Sequence, residues 1–144
     1  MEYSKEELMT MLVAAERKVP TRTIRMASDV VPIIARYAKR RQEYFIVITL
    51  NGAHDVMRVH VVTIGILNRT MVHPREVFVH AIRERAAAVI MAHNHPSGAL
   101  EPSREDRDLT KRMTDAGELL GIQVLDHVII SKNGYYSFLE KGDL

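Results

Sequence analysis

Along this chain, short runs of nearly unbroken apolar residues alternate with stretches in which apolar residues recur every three or four positions. The first pattern fits strands buried on both faces, and the second fits helices lying against them. Ser4 and Glu7 stand at capping-box spacing with Leu8, Leu12 and Val13 at helical intervals beyond, which predicts a helix over residues 5–17. The stretch KVPTRTIRMAS reads as a connection. Ser28 or Asp29 then starts a second helix, with Ile33, Ile34 and Tyr37 on one face and Lys39-Arg40-Arg41 at its end. Residues 44–50 predict a buried strand, Asn51-Gly52 a turn, and 57–64 the return strand.

Pro74 opens a third helix whose apolar stripe is Val77, Phe78, Ala81 and Ile82. Residues 88–92 predict a short, fully buried strand. Ser103 starts a fourth helix with the stripe Leu109, Met113, Ala116 and Leu120, ended near Gly121. Residues 124–130 and 135–138 flank Asn133-Gly134 and predict a closing hairpin. There is no internal repeat and no low-complexity linker. The fold class is mixed α/β, a central sheet flanked by helices, organised as one compact domain.

Composition narrows the chemistry more than the fold. The 144 residues are 47% hydrophobic and 26% charged, a packed globule's proportions, and a chain of this length needs no disulfide or metal merely to fold. Zero cysteines exclude a disulfide scaffold, a cysteine nucleophile, thiolate zinc sites and iron–sulfur clusters. A metal site here must be built from His, Asp and Glu, and seven histidines are available. The net charge of +2 and pI near 9.0 permit nucleic-acid binding without arguing for it. The start MEYSKEELMT lacks the features of a signal peptide, and no apolar run approaches the roughly 20 residues of a membrane helix. A soluble cytoplasmic protein without membrane partners is expected.

The segment AVIMAHNHPSGALEPSREDRDL, residues 88–109, concentrates the chemistry. His93 and His95 lie two apart at a strand end, so the strand period sends both imidazoles to one side. Asn94 points the other way, and Pro96 ends the strand pairing. Asp106 sits in the first turn of the next helix, where a side chain leans back toward the loop carrying the histidines. Two neutral imidazoles and a carboxylate leave a tetrahedral zinc ion one open position, the arrangement of a catalytic site. Each part also has a plainer explanation. A His-x-His pair alone is a weak signal, and Ser103 with Asp106 is by itself a good helix cap. The two readings are compatible, because the cap would aim the carboxylate. A zinc nucleobase deaminase would need a Cys pair, which is absent.

Taken together, H-x-H-P-S-G followed by P-S-x-x-D resembles the JAMM signature of the JAB/MPN metalloprotease family, and more closely its RadC-like branch. VHPREVF, AAAVIMAHNHPSG, PSREDRDLTKRM, AGELLGI and LDHVIIS all carry that likeness, which runs from about Glu43 to Phe138. The resemblance implies a JAB/MPN-like (cytidine-deaminase-like) fold over 43–144 behind an N-terminal helical lead at 1–42. It implies Zn2+ as cofactor, with His93, His95 and Asp106 as ligands. Ser103 matches the family serine that hydrogen-bonds the bound water or the developing oxyanion, and Glu43, directly before a strand, best matches the glutamate general base. Without the family, Glu43 is a solvated acid after a basic run. Glu76 is the second choice, but as an acid after Pro74 it is already explained by the helix start.

The expected function is a zinc-dependent hydrolase, a metallopeptidase or isopeptidase acting on an unknown peptide or protein substrate. The alternative is a DNA-repair-associated accessory protein with a structural or vestigial metal and weak DNA association. RadC-like proteins usually carry an N-terminal helix-hairpin-helix region, and residues 1–42 show no such Gly-rich signal. A salt-dependent DNA affinity would support the alternative. The oligomeric state is open. Among the other histidines, His127 inside an apolar strand reads as a hydrogen-bonded core residue, His73 as shaping a helix entry, and His54, His60 and His80 as surface residues.

Overall fold

A computed structural model describes residues 2–9, 22–65 and 72–144. Ser4 and Glu7 form the expected reciprocal cap at the start of a helical segment over 5–9, and the rest of the predicted first helix lies outside the described residues. Five strands follow: β1 (Glu43–Leu50), β2 (Val56–Gly65), β3 (Ala88–Asn94), β4 (Gln123–Ser131) and β5 (Gly134–Ser137). They form one sheet in the order β2-β1-β3-β4-β5. Only the β3–β4 pair is parallel, and its crossover carries α3 (Arg104–Leu120), as a parallel connection requires. Two further helices are α1 (Val31–Ile34) and α2 (Pro74–Glu84).

The sheet is covered on both faces, which is why its central strands read as unbroken apolar runs. One face packs Ile46, Ile48, Leu50, Ile90 and Ala92 against Val30, Ile34 and Tyr37. The other packs Phe45, Val47, Val89 and Met91 against Val77 and Phe78 of α2 and Met113 of α3. The alternation has a direct consequence for the chemistry. Val89 and Met91 face the α2/α3 layer, so two residues on, His93 faces α3 as well.

Three expectations change in detail. The second helix is broken into a 3-10 turn at Ala27–Asp29, the four-residue α1 and a 3-10 turn at Ala35–Tyr37. The Asp29 carboxylate accepts from the backbone of Arg25 and Met26, so the turn begins before Ser28. Tightened turns then bring Ala27, Val30, Ile34 and Tyr37 into the core, leaving Ile33 only partly buried. On α2, Val77, Phe78 and Ala81 are buried but Ile82 is exposed.

The most buried face of α3 is Asp106, Thr110, Met113 and Gly117; of the predicted stripe Met113 is buried, Leu109 and Ala116 are partly buried, and Leu120 is exposed. Gly117 sets this rotation. A Cβ there would press onto the Ile122 carbonyl oxygen and lie 3.3 Å from the Phe78 ring, so the helix makes its closest approach at that point. Gly117→Ala is therefore expected to destabilise the fold by about 2–3 kcal/mol, because backbone must move to admit the methyl. A denaturant midpoint unchanged from wild type would refute that account.

Candidate metal centre

β3 ends at Asn94, and the two side chains flanking that point turn the same way. The Nε2 atoms of His93 and His95 lie 3.0 Å apart. Asn94 faces the opposite direction, its Oδ1 accepting from Tyr44 N at 2.6 Å and its Nδ2 donating to the Gln42 carbonyl at 2.9 Å. The loop beyond turns at Gly98, whose φ of +90° and crowding by Lys132 and Asn133 leave no room for a side chain. Its carbonyl accepts from Ser131 Oγ and Asn133 Nδ2, which ties the loop to the β4–β5 hairpin.

α3 starts from a reciprocal cap. Ser103 Oγ accepts from Asp106 N at 3.0 Å, and Ser103 N donates to Asp106 Oδ2 at 2.9 Å. That box aims the carboxylate at the histidines, with Oδ1 3.3 Å from His93 Nε2 and Oδ2 3.1 Å from His95 Nε2. The cap reading and the ligand reading are thus one geometry. His93 and Asp106 are buried, and the His95 side chain is 12% exposed.

These separations match what a zinc ion asks of its ligands. Bonds of roughly 2.0–2.1 Å in a tetrahedron place neighbouring donor atoms about 3.3 Å apart. The two Nε2 atoms are 3.0 Å apart and each has a different Asp106 oxygen within 3.3 Å, so the three residues fit a divalent metal of zinc's size. His95 Nδ1 lies 3.0 Å from the Ala99 carbonyl, an acceptor that holds a proton on Nδ1 and leaves Nε2 for the ion.

Electrostatics at the site are dominated by this contact. Burial alone would raise the Asp106 carboxyl, but its contacts with the His93 and His95 imidazoles and the hydrogen bond from the Ser103 N–H outweigh it and hold the group well below the usual carboxylate range. Burial pushes His95 down, while the hydrogen bond and charge of Asp106 push it up, leaving the imidazole above its ordinary value. A metal must displace that proton. Zinc affinity is therefore expected to be level above the raised His95 value and to fall about tenfold per pH unit below it. Calorimetry in buffers of differing ionisation enthalpy would read the released proton, and binding without proton release below the raised His95 value would contradict the assignment.

An open cavity of about 470 Å³ lies on the exposed side of this cluster. Arg41, Glu43, His95, Ser97, Ser103 and Asp106 are among its lining residues. Phe45 pairs with His93 across β1 and β3, and Glu43, two residues before it on β1, feels the charge of His95. The structure thus brings Glu43 and Ser103 to the same cavity as His95 and Asp106, while His93 lies buried behind them. Glu76 does not line it.

Several histidines take unexpected places. His127, completely buried, lies with Nε2 2.7 Å from His93 Nδ1 and Nδ1 2.6 Å from Thr110 Oγ1. Sequence alone read it as a hydrogen-bonded core residue, which is right, but could not name its partners. Burial lowers its pKa well below the ordinary histidine value, so it is neutral. Asp126 beside it accepts from His127 N, Leu139 N and Ser137 Oγ, and burial raises its carboxyl.

His73 caps α2 by accepting from Arg75 N, as a helix-entry residue should. His60 and His80 are not isolated surface residues. They gather with Glu84, His60 Nε2 lying 2.7 Å from Glu84 Oε2. Their rings stack 3.8 Å apart and 4° from parallel. A metal bonds an imidazole nitrogen in the ring plane, and two parallel planes share no such point. This group is a His60–Glu84 hydrogen bond covered by a stacked ring.

Comparison with known proteins supplies the family. A sequence model described as the RadC-like JAB domain matches residues 24–143. That span reaches further than the motifs alone and takes in the helical turns at 27–37 that pack on the sheet. A UPF0758 protein of Trichlorobacter lovleyi is 54% identical over 102 residues, covering 71% of this chain and 44% of that protein. One from Rubrobacter xylanophilus is 50% identical over 109 residues, covering 76% of this chain and 48% of its own. The chain therefore spans about half the length of the curated relatives it matches. With that model matching residues 24–143, and with His93, His95 and Asp106 gathered at one point of a five-stranded sheet flanked by helices, the chain belongs to the RadC-like JAB domain family.

Proposed function

We propose that this domain is a zinc-dependent hydrolase of peptide or isopeptide bonds. The observation that carries the reading is the convergence of His93, His95 and Asp106, the last two lining a cavity that Glu43 and Ser103 also line. A zinc ion held by these three residues would supply Lewis acidity to the scissile carbonyl and to a water. The chain's own groups do the rest. Glu43 receives the proton of the attacking water and returns it to the leaving amine.

Ser103 Oγ is already an acceptor in the helix cap, so its hydroxyl hydrogen is the part that points to a developing oxyanion. A single donor of this kind is worth about 2.7–4 kcal/mol in comparable sites. The capping box holds that hydroxyl and the Asp106 carboxylate in fixed relation, which is the preorganisation such a site needs.

The test is metal analysis of the purified protein before and after zinc incubation, paired with His93→Ala. One zinc per chain in the wild type and none in the variant is expected. A wild type that takes up no zinc would remove the hydrolase reading.

A further inference from the structure

The geometry points to His127 and Thr110 as positioning residues that set the tautomer of His93, so that its Nε2 lone pair is presented to the metal. This rests on the metal-binding reading above for its purpose, although the proton arrangement itself stands on the hydrogen bonds alone.

The chain of contacts admits one direction. Thr110 Oγ1 lies 2.7 Å from the Asp106 carbonyl oxygen, and a carbonyl has no proton to give, so the hydroxyl donates there. Its oxygen then serves as acceptor for His127, whose Nδ1 at 2.6 Å must carry the hydrogen. A neutral, fully buried imidazole protonated on Nδ1 has a bare Nε2. That atom, 2.7 Å from His93 Nδ1, accepts the His93 proton. His93 is left with its hydrogen on Nδ1 and a lone pair on Nε2, the atom that faces His95 and Asp106.

Second partners of this kind orient and tune metal-bound histidines, and usually they are a carboxylate or a carbonyl. Here the partner is another histidine, and the tautomer is dictated three bonds away by a main-chain carbonyl. The residue that ends the chain, Asp106, is itself a ligand candidate, so β3, α3 and β4 are joined through one buried relay. Phe138 stacks on His127 at 4.7 Å and Phe45 meets its ring edge-on at 5.9 Å, which prevents the ring from turning away.

The experiment is two-bond 1H–15N correlation of the imidazoles in metal-free, 15N-labelled protein at mildly alkaline pH, alongside zinc titrations of variants. His93 and His127 are both expected as the Nδ1–H tautomer. Thr110→Val keeps the side-chain shape but removes the acceptor, and is expected to change the His127 signature and weaken zinc binding roughly 10–100-fold. His127→Phe keeps the aromatic packing and loses the same affinity, whereas His127→Gln, which retains an acceptor toward His93, recovers most of it. Circular dichroism and thermal melts identify variants that have lost the fold.

His93 found protonated on Nε2 in the wild type would overturn the proposal. So would folded Thr110→Val and His127→Phe proteins that bind zinc within about threefold of wild type. If both histidines show the Nδ1–H form but the wild type binds no zinc, the relay is upheld and the metal reading is the one that fails.

Discussion

Replacing Asp106 with asparagine is expected to abolish stoichiometric zinc binding while the protein stays folded. The asparagine carbonyl can still accept from Ser103 N, so the cap that starts α3 largely survives. What it loses is the negative charge between two imidazoles. The affinity loss should exceed the roughly 10–100-fold that follows removal of an outer partner, because a direct ligand is gone. Asp106→Ala adds the loss of the reciprocal cap, costing about 1 kcal/mol of stability besides. Comparing the two separates the carboxylate's work as a ligand from its work as a cap. Zinc stoichiometry unchanged in Asp106→Asn would refute the ligand assignment, whatever the stability.

Glu43→Gln should do the opposite, leaving the metal in place and removing the chemistry. Glutamine keeps the shape and the position on the cavity wall but cannot take a proton from water. A general base of this kind contributes 10²–10⁴-fold, so kcat on any peptide or isopeptide substrate the wild type cleaves should fall within that range. Zinc content should match wild type, since Glu43 is outside the ligand cluster. A variant retaining kcat within a few-fold of wild type would dismiss Glu43 as the base and leave the metal centre standing.

The two experiments divide the site along the line that divides its evidence. The three ligand candidates touch one another in the fold. Glu43 shares the cavity with His95 and Asp106 and acts on His95 through its charge. A result that kills activity without touching zinc, next to one that kills zinc without touching the fold, would distinguish a hydrolase from a metal-stabilised accessory protein.

Much of this was legible in the chain. Period-two alternation and the capping box are short-range effects, so the strand carrying His93 and the turn carrying Asp106 could both be placed from neighbours within four residues. The mutual approach of His93, His95 and Asp106 followed, because one short loop joins strand to helix. Rotation of α3 was misjudged at Leu120 and Gly117 for a related reason. Hydropathy assigns a buried face to large apolar residues, whereas this helix is buried where a missing side chain allows the closest approach.

The sequence by itself determined the candidate ligands, the cap that aims one of them and the exclusion of thiolate chemistry, all matters of residue identity and local spacing. Only the tertiary structure decided what stands behind and in front of the ligands. His127 meets His93 across 34 residues of chain and Thr110 across 17, because β3 and β4 lie side by side with α3 packed over them. Glu43 shares the cavity with His95 because β1 pairs with β3. His60 and Glu84 pair because β2 and α2 happen to meet. Such contacts depend on strand order, register and helix rotation, which many distant side chains set together.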